Sequence, residues 1–175
     1  MGMVTNYPER PLIDPEACKY ILEQMIQEAG VQLIYNSHAS QLIMSGDSIQ
    51  AVIVETKSGR VAIQGKVYVD CSGDGDLMNW AGEEFDIRKH DIGVMYRIGG
   101  AHGLNVGTPT PIAGVKNMWM RGESEEDGLN VFNQTRLELL MRKRMWEHTQ
   151  ELKAATGRDD IFLLEKPSLL AARIT

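Results

Sequence analysis

Val67-Tyr68-Val69-Asp70-Cys71-Ser72-Gly73-Asp74-Gly75-Asp76 is the stretch on which the fold turns. Its first half, apolar and β-branched, reads as a strand over 67–71. The glycines that follow mark a sharp turn, and Leu77, Met78, Trp80 and Ala81 then read as a short helix closed by Gly82. Strand, Gly-rich turn and helix in direct succession make one junction of an α/β sheet, and ligands of such sheets sit beyond the carboxyl ends of the strands. Glycine lets the backbone turn and lets another molecule approach it. A helix start directs N–H groups toward the same place, which suits a phosphate or polyol oxygen. Two other readings apply to the same residues. A tight turn with a capping Asp needs no ligand, and Asp70, Ser72, Asp74 and Gly75 imitate the first half of a calcium-binding loop. That loop would end on Glu where Ala81 stands, and it would follow a helix rather than a strand, so no metal site is expected.

Upstream, Asp14 caps a predicted helix, Pro15 suits its first position and Glu16 its positive end. Cys18, Ile21, Leu22, Met25, Ile26 and Ala29 fall on one stripe, expected to be buried, and Gly30 closes the helix. Val31 to Tyr35 reads as a strand. Three further strands, Ala39–Met44, Ile49–Thr56 and Val61–Gln64, are separated by turn signals at Gly46-Asp47 and Ser58-Gly59, the pattern of an antiparallel meander.

Downstream, Gly93–Ile98 reads as a strand. Gly99 to Gly114, with five glycines and two prolines, reads as a long irregular connection of the kind that is functional or mobile. Asn117–Met120 is a further strand candidate. A long helix is predicted from Thr135, with Glu138 completing a capping box, an apolar stripe of Leu137, Leu140, Met141, Met145, His148 and Leu152, and an end near Gly157. No internal repeat or low-complexity tract is present.

With 175 residues, the chain is about the size of one ordinary domain and would bury roughly 70% of its unfolded surface. Apolar residues make up 43% and charged residues 24%, an ordinary globular composition that excludes disordered, collagen-like and disulfide-stapled chains. No apolar run approaches the ~20 residues that span a bilayer, so no membrane partner is expected. Lys and Arg number 18 against 24 Asp and Glu, for a net charge of −6. An acidic chain without a basic block is poorly suited to phosphate backbones, and nucleic acid is not an expected partner. Cys18 and Cys71 cannot supply a four-thiolate cluster; both lie in apolar surroundings and are expected as buried, reduced thiols. The start of the chain lacks a charged-then-apolar signal pattern, so the expected location is cytoplasmic. The ten methionines are expected to fill core gaps. Of the scattered histidines, His102 in the Gly-rich connection is the candidate for facing a substrate.

The run Asp14, Lys19, Met25, Glu28-Ala29-Gly30-Val31, then the meander, then Val69-Asp70-Cys71-Ser72-Gly73-Asp74-Gly75-Asp76 and Ala81-Gly82, resembles the FAD-dependent oxidoreductases, in particular the heterodisulfide-reductase subunit-A-like flavin domain. The predicted helix from Thr135 and Leu170-Ala171-Ala172-Arg173-Ile174-Thr175 resemble later parts of that subgroup, although Ile174 replaces its usual acidic residue. The resemblance implies an α/β fold, α+β in part: a partial FAD-binding Rossmann-like domain with an antiparallel meander over residues 1–88, and part of a second, substrate-type domain over 89–175. It implies FAD as cofactor. Ser72, Gly73 and Asp74 would lie along the pyrophosphate and ribityl chain, Gly75 and Asp76 at the helix start, and Ala39 would contact adenine through its backbone. Arg173 could meet an anionic substrate in an intact relative, although a terminal arginine is more often merely solvated.

The dinucleotide turn G-x-G-x-x-G that opens such proteins is not found before Asp14. In the family's sheet the strands it belongs to lie between 31–35 and 67–71, so these two are expected to lack neighbours, and the chain to be an internal piece of a flavoprotein. Three functions follow as expectations. The chain is part of an FAD-dependent oxidoreductase acting on a small-molecule substrate, unable to hold FAD firmly by itself; or it is a non-enzymatic assembly module that pairs its uncovered strands with another copy or a partner chain; or, least in keeping with the residues, it binds calcium. No catalytic residue is singled out, because the redox chemistry of flavoproteins resides largely in the cofactor.

Overall fold

The computed structural model describes residues 4–7, 10–84, 86, 91–123, 128–168 and 170. The expected domain boundary at 88, His90 and Arg173 lie outside them. Nine strands and three helices are described, and every strand pairing is antiparallel. The chain forms two compact units, one of Met1–Ile21 with Arg88–Ile174, the other of Leu22–Ile87.

In the first unit β1 (Val4–Tyr7) and β2 (Arg10–Ile13) make a hairpin. A separate sheet is built from β6 (Val94–Gly99), β7 (Thr108–Pro109), β8 (Lys116–Met120) and β9 (Phe162–Glu165), in the order β7-β8-β6-β9. One face of this sheet carries Val94, Tyr96, Ile98 and Met118. They pack with Met141 and Met145 of the helix α3 (Val131–Thr156) and with Ala101 and Ile161 into one core. Leu137 and Thr149 complete the buried stripe of α3 at four-residue spacing, the period of a helix face; Thr149 satisfies its hydroxyl by donating to the Met145 carbonyl.

α3 begins four residues earlier than the capping box at Thr135 predicts. Asn130 is the cap, its side-chain oxygen accepting from the amides of Phe132 and Asn133. Thr135 is inside the helix and donates back to the Val131 carbonyl, while Glu138 pairs with Lys166. The helix ends at Gly157, as its glycine signals. Leu140, His148 and Leu152 are half-buried. The Gly99–Gly114 connection is tied down: Ala101 donates to the Gly114 carbonyl, β7 pairs with β8, and Arg158 donates to the carbonyls of Gly100 and His102.

In the second unit β3 (Ser37–Ser45), β4 (Ser48–Thr56) and β5 (Gly59–Ile63) form the expected meander, joined by two-residue turns. Leu42, Ala51, Ile53 and Val54 are its buried side chains, and α2 (Asp76–Ala81) packs on β3. The helix α1 (Pro15–Glu28) starts in the first unit and ends in the second. Asp14 caps it as expected, accepting from the amides of Glu16 and Ala17.

Four expectations are corrected here. Residues 31–35 and 67–71 are not strands: neither makes a ladder among the described residues, and Val67 and Val69 are 80% and 78% exposed. An extended run without a neighbour leaves its backbone to water, and its side chains with it. The apolar stripe of α1 is not buried; none of its residues is. Cys71 is exposed and Cys18 half-buried, both free. Of the methionines, 118, 141 and 145 are in the core, whereas 25, 78 and 95 are exposed.

Tyr96 is buried in the sheet–helix core, and its hydroxyl hydrogen-bonds His148 Nδ1. Burial first, and the charge of Glu151 second, push its phenol up from 10.0 to about 12. A phenol that keeps its proton longer in the folded state contributes stability that is intact below pH 10 and is lost as the pH rises toward 12. Thermal melts across this alkaline range are expected to show a falling midpoint, and Tyr96→Phe is expected to flatten that limb while costing about 1–3 kcal/mol at neutral pH through the abandoned His148 nitrogen.

Candidate functional site

The junction over residues 67–76 is organised by Asp70, whose place in the sequence suggested the end of a strand or the start of a calcium-loop imitation. Asp70 Oδ1 accepts from the Ser72 amide at 2.9 Å, and Oδ2 accepts from the amides of Leu77 and Met78 at 2.9 and 3.3 Å. Ser72 Oγ accepts from the Asp76 amide at 3.0 Å. The first turn of α2 is therefore satisfied from within the loop, and its N–H groups are not free for a phosphate, contrary to expectation. An Asp carboxylate two residues before the amide it binds is an Asx-turn, and Asp70-Cys71-Ser72 was its local sequence signal. Hydrogen bonds from Ser72, then from Met78 and Leu77, hold the Asp70 carboxyl below its ordinary value.

Beyond Asp70 the turn is open. Gly73 and Gly75 adopt φ of 93° and 72°, conformations that L side chains rarely take. A side chain added at Gly73 would meet nothing within 4 Å. Among the described residues the amides of Gly73, Asp74 and Gly75 find no protein acceptor, so three donors are available at an exposed turn. Ala39 is half-buried on β3, paired with Val54, on the strand that α2 packs against. A cleft of about 360 Å³ lies beside the junction, walled by Met44, Ile49, Tyr68, Asp70, Leu77 and Met78, with Asp47 and Glu83 also lining it. Ala39, Ser72, Gly73, Asp74, Gly75 and Asp76 do not line this cleft.

The two unladdered runs are each pinned by a tyrosine. Tyr68 Oη donates to the Gln50 carbonyl and accepts from the Gly65 amide, both at 2.8 Å. Tyr35 donates to Glu23 of α1. Asn36, at φ 52°, then turns the chain into β3. His102 is exposed, its ring beside Gly114.

A family model of FAD dependent oxidoreductases matches residues 2–161. The chain belongs to that family. No curated protein and no solved structure matches it. For this FAD-dependent oxidoreductase family member, flavin-linked redox is the activity the family supports, and FAD the cofactor it suggests. The residues present fit such a group only in part: the Gly73–Gly75 turn offers unused amides and open space, whereas α2 offers none in its first turn. Among the described residues, no helix is long and apolar enough to cross a membrane.

Because Asp70 has a lowered carboxyl value in the folded chain, its contribution is complete above the ordinary value of 3.8 and is lost as the pH falls through the lowered one. Asp70→Ala is expected to lose the amide protection of Leu77 and Met78 at neutral pH, read by hydrogen exchange. In the wild type that protection is expected to disappear only below pH 3.8.

Proposed function

We propose that the chain is part of an FAD-dependent oxidoreductase of the heterodisulfide-reductase subunit-A-like kind, carrying out flavin-mediated redox of a small substrate, and that these 175 residues hold FAD weakly by themselves. The observation that carries the reading is the Gly73–Gly75 turn, with unused amides and no side chain in the way, within a chain of this family. FAD, when bound, supplies the hydride chemistry. The chain would supply backbone donors at Gly73, Asp74 and Gly75, the Ser72 and Asp76 flanks of the turn, and the Ala39 backbone at the adenine end. In this reading residues 1–88 hold the flavin-side portion and 89–175 the substrate-side portion.

Weak holding follows from two features. The amides that would grip a pyrophosphate at α2 already bind Asp70 and Ser72. No G-x-G-x-x-G turn is found before Asp14 to supply the other wall. The exposed runs 31–35 and 67–71 favour a second reading, an assembly module whose partner, another copy or a different chain, covers them.

One preparation tests both. The purified chain is expected to emerge from gel filtration with little flavin absorbance, yet to quench FAD fluorescence when titrated with micromolar to millimolar FAD, and Gly73→Val is expected to weaken that quenching. Flavin retained at one per chain would overturn the weak holding, and no quenching at any concentration would overturn the flavin site. Light scattering on the same sample addresses assembly: a well-folded monomer rules out self-association.

A further inference from the structure

The strand register of the first unit places four polar residues side by side across its sheet: Glu165 on β9, Arg97 on β6, Asn117 on β8 and Thr108 on β7. Directly opposed residues on antiparallel strands point to one face. Tyr96, Ile98 and Met118, the neighbours of this row along the strands, are buried toward α3, so the row belongs to the other face. There Arg97 and Asn117 line a cleft of about 290 Å³ together with Asp14, Thr110 and apolar residues that include Ile13 and Ile112.

The chemistry of the lining is specific. Arg97 Nη1 lies 3.1 Å from Glu165 Oε1, and the rest of its guanidinium has no protein acceptor among the described residues. A guanidinium has five N–H donors in a fixed fork, so one edge is held and the other is unused. Asp14 adds a negative charge to the lining, but its Oδ1 is occupied by two amides at the start of α1. Ile13 and Ile112 are 50% and 58% exposed, an apolar surface large enough for a short hydrocarbon or a single ring.

We propose that this cleft binds a small monocarboxylate with an apolar body, the carboxylate on Arg97 and Asn117 and the carbons against Ile13 and Ile112. A planar carboxylate matches the free guanidinium edge and accepts a further bond from the Asn117 amide. The Asp14 charge disfavours a second carboxylate on the same ligand, so monoanions are selected over dianions. The volume lies near the lower end for small-molecule sites. None of these residues belongs to the flavin turn, so this site stands or fails independently of flavin binding.

Benzoate is the probe, titrated into the full chain and followed by amide chemical shifts, with phthalate and benzamide as the dianionic and neutral comparisons. Saturable shifts at residues 97, 112 and 117 are expected for benzoate, with a dissociation constant of about 1 mM and at least about tenfold weaker binding of the other two. Arg97→Gln is expected to weaken benzoate about tenfold. Glu165→Gln, which removes the competing carboxylate, is expected to tighten it, and this second variant keeps the test open if Arg97→Gln does not fold. Absence of saturable shifts at the cleft, equal binding of benzamide or phthalate, unchanged affinity in a folded Arg97→Gln, or unchanged or weaker affinity in Glu165→Gln overturns the proposal.

Discussion

Backbone amides and carbonyls in an extended run are satisfied only by a neighbouring strand, by a side chain or by water. That requirement governs this chain. Where a neighbour is supplied, as between β6 and β8 or β3 and β4, part of the apolar side chains of the pair, such as Val94, Tyr96 and Met118 or Leu42, Ala51 and Ile53, are buried. Where no ladder partner is present among the described residues, as at 31–35 and 67–71, the same kinds of residue stand in solvent and side-chain hydrogen bonds, those of Tyr35, Tyr68 and Asp70 among them, take over the anchoring. The exposed face of α1 is a further apolar surface left uncovered among the described residues.

Satisfaction from within also shapes the Gly-rich turn. Asp70 and Ser72 take up the amides at the start of α2, and the donors left over are those of the turn itself. A carboxylate accepts such amides through charge-assisted bonds, so Asp70 holds the start of α2 while the amides of Gly73, Asp74 and Gly75 have no protein acceptor among the described residues. The chain belongs to a family whose redox chemistry resides in the cofactor.

Local signals in the sequence were legible where they were chemically unambiguous. Asp14-Pro15 and Gly30 bound α1, Gly46-Asp47 turns β3 into β4, and Gly82 and Gly157 close α2 and α3 with positive φ. The start of α3 was not legible, because Asn130 and Thr135 are both acceptable caps. The four residues between them include the exposed Val131 and Phe132, which carry no burial pattern. β9 was missed for a related reason: Phe162-Leu163-Leu164-Glu165 has no alternation, and its strand character comes from pairing with β6, more than sixty residues away. Among candidate site residues, the turn glycines were legible from composition. Asp70 was legible only as the end of a strand or as part of a calcium-loop imitation, although its Asx-turn signal was present. Arg97 carried no signal, since a lone arginine in a strand becomes a site residue only through its cross-strand neighbours.

The amino-acid sequence by itself determined the antiparallel meander, the bounds of α1, the Gly-rich turn before α2 and the kinship with flavin-dependent oxidoreductases, because each rests on residue types whose backbone preferences act within a few positions. Only the tertiary structure decided which apolar runs gained a ladder, and that Glu165, Arg97, Asn117 and Thr108 share one row. Those outcomes depend on partners distant along the chain. A hydrogen bond or a shared face between distant segments has no signature in the spacing of either one.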